Sequence, residues 1–175
     1  MPPRPKIRIS WTSARPASDV DAPALRRALA VFLEGLGHGG RALSVLFAGD
    51  AALRALNLAH RGEDRPTDVL SWSYREAPEG GPGAPLGDLA LSLERARAQA
   101  AKNGWALQTE LLRLLAHGCA HLAGYDHRTA AQERKMRGVE EELLERIGLK
   151  GIYPKAAAGR GKGKPRARQL VAGST

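Results

Sequence analysis

The sequence is nearly devoid of cysteine, has no long apolar run, and carries no acidic residue from Lys150 onward. Cys119 is the only cysteine, so no intramolecular disulfide can form, and paired-cysteine zinc or redox motifs are excluded. No apolar stretch approaches the roughly 20 residues that a membrane-spanning helix requires. The amino terminus reads MPPRPKIRIS, with prolines and charges where a secretory signal needs an apolar core. These absences lead us to expect a cytoplasmic protein without a membrane anchor. No internal repeat is found.

The 175 residues suffice for one domain with a real core and are few for two. With 43% hydrophobic and 26% charged residues, wholesale disorder is not expected. The formal net charge is +9, but it is unevenly placed. Seven basic residues (Lys150, Lys155, Arg160, Lys162, Lys164, Arg166, Arg168) lie from position 150 on, leaving 20 basic and 18 acidic residues over positions 1–149. We therefore divide the chain into a folded domain over 1–152 and a basic tail over 153–175, expected to stay solvated and disordered. Such a tail either contacts a polyanion such as RNA through counterion release or merely aids solubility.

Periodicity sets the expected elements. Lys6–Trp11 alternates as a half-buried strand. Pro23 suits a first helical turn, and Leu25, Leu29, Phe32, Leu33 and Leu36 follow at helical spacing until Gly37, Gly39 and Gly40. Arg41–Ala48 reads as a second strand, and Asp50 as the N-cap of a helix through Leu53 and Leu56. Thr67–Tyr74 is a third strand, Pro78–Pro85 a loop, and Gly87–Leu93 a fourth strand. Helices are expected over about Leu93–Lys102, Gln108–Ala123 and Thr129–Ile147, the last with Thr129 and Gln132 in capping-box register. The order implies an α/β fold of the α+β type: a single domain with a small four-stranded mixed sheet packed by about five helices.

Three of the five histidines fall within H-G-C-A-H-L-A-G-Y-D-H, residues 117–127. His117 and His121 are four apart and project from one helical face, a turn apart. Gly124 can adopt positive φ, break the helix and return a third ring from His127. Three imidazoles with an open fourth position are the donor set of a catalytic zinc, one ion per chain. Unrelated surface histidines would not be expected at this spacing. Asp126 either forms the turn or acts beside the third ligand, orienting it or accepting a proton. Cys119 is two positions from each helical histidine and faces away from both, so packing is its expected role.

The same spacing occurs in zinc peptidases of the H-E-x-x-H-x-x-G-x-x-H type. A peptidase needs glutamate at the second position as general base, and this chain has Gly118 there, which argues against that chemistry. A Lewis-acid metal in a cationic protein suits phosphodiester hydrolysis, which also needs a cation opposite the developing charge. Arg61 and Arg65, in His60–Trp72 (HRGEDRPTDVLSW), are the candidates, although composition alone reads this stretch as a solvated charged turn.

Taken together, these blocks resemble the YbeY family of bacterial endoribonucleases. The family pattern H-G-x-L-H-L-x-G-Y-D-H is met except at Ala120, where leucine is usual. The pattern R-G-x-D-x-P-T-D-V-L-S-F is met over Arg61–Ser71, with Trp72 in place of phenylalanine. A third block, G-D-[IL], corresponds to Gly87–Leu89, and the likeness extends over about residues 5–150. The resemblance implies zinc held by His117, His121 and His127, and Arg61 as the arginine of the active cleft. It implies single-strand-specific cleavage in ribosomal RNA 3′-end maturation and ribosome quality control, with the small ribosomal subunit and assembly factors as partners. Asp126 or Glu110, seven residues before His117, would then assist proton transfer. A ribosome-assembly factor with a mainly structural metal is the alternative reading, and a zinc peptidase a third.

Overall fold

The computed structural model describes residues 4–12, 17–74 and 83–153. The tail beyond Tyr153 and most of the glycine- and proline-rich loop before Pro85 lie outside the described residues. In chain order the elements are β1 (Ile7–Trp11), α1 (Ala22–Gly35), β2 (Ala42–Ala48), α2 (Asp50–Arg61), β3 (Val69–Ser73), β4 (Pro85–Ser92), α3 (Leu93–Asn103), α4 (Leu107–Leu122) and α5 (Ala130–Arg146). This is the expected single α/β domain with a four-stranded mixed sheet and five helices.

The sheet order is β1-β2-β4-β3. β1 and β4 both run parallel to β2, and β3 pairs antiparallel with β4 at one edge. Successive strand residues face opposite sides, and that alternation divides the interior in two. Ile9, Leu43, Val45, Phe47, Leu89 and Leu91 join the buried faces of α1, α4 and α5 in the main core. On the other face Leu70, Ala90 and Ala48 pack with Leu53 of α2 in a smaller cluster, flanked by Leu46, Leu56 and Trp72.

Helix ends follow local chemistry. Asp21 caps α1, its carboxylate accepting from the Ala24 amide at 2.9 Å, with Pro23 in the first turn. Thr129 and Gln132 form both halves of the capping box of α5. The start of α2 differs from expectation, because Gly49 occupies the cap position and Asp50 is the first helical residue. The Asp50 amide donates to Glu94 Oε1 at 3.2 Å, and its carboxylate accepts from the Ser92 hydroxyl at 2.6 Å and Arg95 Nε at 3.1 Å. The cap is thus supplied by α3, and a side chain on Gly49 would meet Glu94 Oε1 at 2.6 Å.

Helix α4 lies unusually close to the sheet at two glycines. A Cβ on Gly118 would meet Leu89 Cδ2 of β4 at 2.8 Å. A Cβ on Gly87 of β4 would meet the Trp72 carbonyl oxygen at 2.2 Å and Leu122 Cδ2 of α4 at 2.6 Å. The Ser73 hydroxyl of β3 donates to the Leu122 carbonyl at 3.2 Å, fastening the end of the helix to the edge strand. Because the obstacle at position 87 includes backbone, it cannot swing aside. Gly87→Ala should therefore destabilise the domain by about 3 kcal/mol or more, read as a lower urea midpoint. An unchanged midpoint would refute this account of the contact.

Candidate metal centre

The last turns of α4 carry His117 and His121. Gly124 follows at φ 101°, a conformation that disfavours any side chain. Its amide donates to the His121 carbonyl at 2.9 Å, and the Tyr125 amide reaches back to the Ala120 carbonyl at 3.1 Å. This closure ends the helix and turns the chain so that His127 comes back beside the other two rings. One donor atom from each of the three histidines lies within 4.8 Å of the others. The ring centroids are 4.8 Å apart for His117 and His121, 5.0 Å for His121 and His127, and 5.6 Å for His117 and His127.

The surroundings of these nitrogens are uneven. His117 Nδ1 lies 2.5 Å from Glu140 Oε1 on α5, which leaves its Nε2 as the nitrogen available to a metal. Both nitrogens of His121 and Nε2 of His127 are buried without a hydrogen-bond partner. Buried polar atoms are ordinarily paired. Several orphans converging within a few ångströms are what a metal-binding donor set looks like in the absence of its ion, so the residues fit such a group. The His121 pKa is pushed down to about 3, chiefly by burial and then by His117 and His127. His121 is consequently neutral at physiological pH, as ligation requires.

Motif spacing does not point to Glu140, although the pattern of α5 carries a signal for it. Met136, Glu140, Leu143 and Leu144 share the buried stripe of α5, and a carboxylate on an apolar stripe asks for a partner. Its second oxygen accepts a hydrogen bond from the Tyr153 hydroxyl. Burial opposes its ionisation, but the contacts to His117 and then Tyr153 prevail and hold its pKa below the ordinary value. Burial and Glu140 together push the Tyr153 hydroxyl up, so it stays protonated as the donor.

Asp126 Oδ1 accepts from the His127 amide at 2.8 Å, and Oδ2 pairs with Arg128 Nε at 2.7 Å. It hydrogen-bonds to none of the three rings. Glu110 is fully buried and receives two hydrogen bonds from Arg113, at 3.0 and 2.6 Å, which ties up both its oxygens. Cys119 is buried in the main core, where burial pushes its thiol up to about 12, in keeping with a packing role. Gly118 faces Leu89, so a glutamate there would be directed at the sheet.

Arg61 ends α2, immediately before Gly62 at φ 67°. Its Nε and Nη2 are buried with no partner, and burial draws its pKa below the usual arginine value, partly offset by the charge of Glu63. Neighbouring charges in the same block are matched: Arg65 Nε donates to Glu63 at 2.6 Å, and Arg54 to Asp64 at 2.6 and 2.9 Å. The structure thereby separates two arginines that composition left equivalent, leaving Arg61 as the unmatched cation. Among the described residues no hydrogen bond or ion pair joins Arg61 to the histidines.

Fold and site together define a small α/β protein with a three-histidine centre suited to a metal ion. The family model described as endoribonuclease YbeY matches residues 19–148. Relatives named endoribonuclease YbeY include one from Anaeromyxobacter sp. strain Fw109-5, 41% identical over 145 residues, covering 83% of this chain and 74% of its own. Another, from Thermus thermophilus, is 45% identical over 124 residues, covering 70% of this chain and 88% of its own. The solution structure of TM1509 from Thermotoga maritima aligns with a TM-score of 0.52 at 24% identity, over 81% of this chain and 91% of that one, a likeness of fold. The chain belongs to the YbeY family.

Two outcomes follow for the centre. Glu140→Gln should weaken metal binding about 10- to 100-fold in a chelator-competition titration, because His117 loses its anionic support. An unchanged affinity would rule out that role. His121 has a depressed folded pKa, so unfolding takes up a proton in acid and stability rises with pH across the window from about 3 to 6.5. Metal-free protein should lose stability as pH falls through that window, and His121→Asn should reduce the slope in denaturant titrations. Equal slopes would contradict the assignment.

Proposed function

We propose that this protein is a metal-dependent endoribonuclease that cuts single-stranded stretches of ribosomal RNA precursors. Its role is 3′-end maturation and ribosome quality control in the cytoplasm, in company with the small ribosomal subunit and its assembly factors. The observation that carries the reading is the convergence of partnerless imidazole nitrogens in a chain of the YbeY family. His117, His121 and His127 hold the metal, for which zinc is the preferred identity, although nitrogen-rich sites accept several divalent ions. When bound there, the ion supplies Lewis acidity toward a phosphoryl oxygen.

The chain's own residues supply the rest. Arg61 binds the phosphate and stabilises the charge that develops on it, a task for which the planar guanidinium is suited. Its unmatched charge favours this, since no carboxylate hydrogen-bonds to it and competes for the anion. Asp126, partly exposed beside His127, offers a proton acceptor at the rim. Glu140 holds the His117 ring in position through Nδ1.

The test combines metal removal with substitution. Stripping the protein with a chelator should abolish cleavage of single-stranded RNA, and re-addition of zinc should restore it. Arg61→Ala should retain metal while lowering kcat/KM about 100- to 1,000-fold. Cleavage that survives complete metal removal would sink metal dependence. Absence of cleavage in every metal-loaded preparation, with the fold intact, would favour an RNA-binding assembly factor whose metal is structural.

A further inference from the structure

The open face of the sheet carries features that the metal centre does not use. Helix α2 packs on this face through Leu53 against Leu70 of β3, Ala90 of β4 and Ala48 at the end of β2, and no residue of β1 joins that cluster. Beside it lies a groove of about 400 Å³, lined by Arg8 and Ser10 of β1, Ser44 of β2, Leu56 and His60 of α2, and Trp72 of β3. At its inner end His60 and Trp72 meet edge to face, with ring centroids 5.4 Å apart and planes at 72°. The Trp72 indole N–H is buried there without an acceptor.

At its outer end the groove runs into a cationic edge. Arg8 also lines an adjoining groove with Lys6 and Arg26. Arg26 lines a third with Arg4 and Arg27, where Glu34 is the only acidic residue. Among the described residues none of these five cations forms an ion pair, whereas most other arginines of the domain do. In the groove on the sheet face the one carboxylate, Asp88, is already held by the Tyr74 hydroxyl at 2.7 Å. The inner end is separated from α4 by the edge strand: Trp72 faces α2, while its neighbour Ser73 faces the other side and donates to the Leu122 carbonyl.

We propose that this face, together with the cationic sheet edge beside it, is the track on which single-stranded RNA lies: Lys6, Arg8 and Arg26 take backbone phosphates at the edge, and the His60–Trp72 pair receives an unstacked base. The inference rests on the endoribonuclease reading and adds where the strand binds. A positive groove leading to an aromatic platform is the combination by which single strands are held, because phosphates need cations and every base offers a flat face. A duplex hides those faces within its stack and presents mainly backbone and groove edges. A single strand thus satisfies both ends of the groove.

The experiment uses the full zinc-loaded chain and a fluorescent 2′-O-methyl oligouridine, which resists cleavage, with binding followed by anisotropy against salt. Neutralising three phosphate contacts in K6Q/R8Q/R26Q should lower the magnitude of the log K against log salt slope by about 2 and weaken binding about 100-fold at 0.1 M salt. Trp72→Leu, which keeps an apolar side chain on the α2 cluster, should weaken binding at least about 5-fold with little change in slope. The triple variant alters only exposed side chains, so it serves even if Trp72→Leu fails to fold. A slope and affinity unchanged in the triple variant, while RNA is still cleaved, would overturn the track and leave the enzyme reading standing. Displacement of the oligomer by polyglutamate as readily as by polyuridine would also overturn it, as would equal loss of duplex RNA binding in Trp72→Leu. Failure of the unaltered chain both to bind and to cleave RNA would remove the two together.

Discussion

The approach of α4 to the sheet is set by two positions that have no side chain. Gly118 lets the helix settle onto Leu89, and Gly87 lets β4 pass beneath Leu122 while staying paired with the Trp72 backbone. Each glycine removes an obstacle in the same contact, one from the helix and one from the strand. With the helix seated and its end tied to Ser73, the direction of its last turn is fixed, and with it the positions of His117 and His121. Gly124 then determines where the third imidazole arrives. The three-histidine centre is thus a consequence of close packing, since a helix held farther from the sheet would present its histidines elsewhere.

Around that turn the polar groups form a graded set. His121 is buried deepest and has no protein partner, which keeps it neutral. His117 is held from behind by Glu140, itself held by Tyr153. Tyr153 lies beyond the segment that the YbeY family model matches, so part of the support for the centre comes from the chain's continuation past α5. Farther along α4, Arg113 compensates Glu110 inside the core, and its charge also favours the ionised form of Glu140 behind His117. Glu110 and Glu140 persist as buried charges because each has a partner at hydrogen-bonding distance.

Much of the architecture could be read from local pattern. Leu25, Leu29, Phe32 and Leu33 gave α1 by their spacing, and Thr129 with Gln132 gave the start of α5 by capping chemistry. Asp50 misled because cap preference is a local rule, whereas the acceptor at the start of α2 is Glu94, which belongs to another helix. Glu140 was passed over for a related reason. Its partner is 23 residues away, and nothing in sequence spacing relates positions on two different helices. Arg61 and Arg65 looked alike in composition until the fold gave Arg65 to Glu63 and left Arg61 with none.

The sequence by itself determined the histidine cluster, because all three rings come from one helix, one glycine turn and eleven consecutive residues, where geometry is dictated by the 3.6-residue period and by a permissive φ. It determined the element order for the same reason, since apolar periodicity is a local property. Tertiary structure alone decided which carboxylate supports His117, which of Arg61 and Arg65 stays unmatched, and which strands α2 covers. Those outcomes depend on distances between elements far apart in the chain, and such distances exist only once the core has packed.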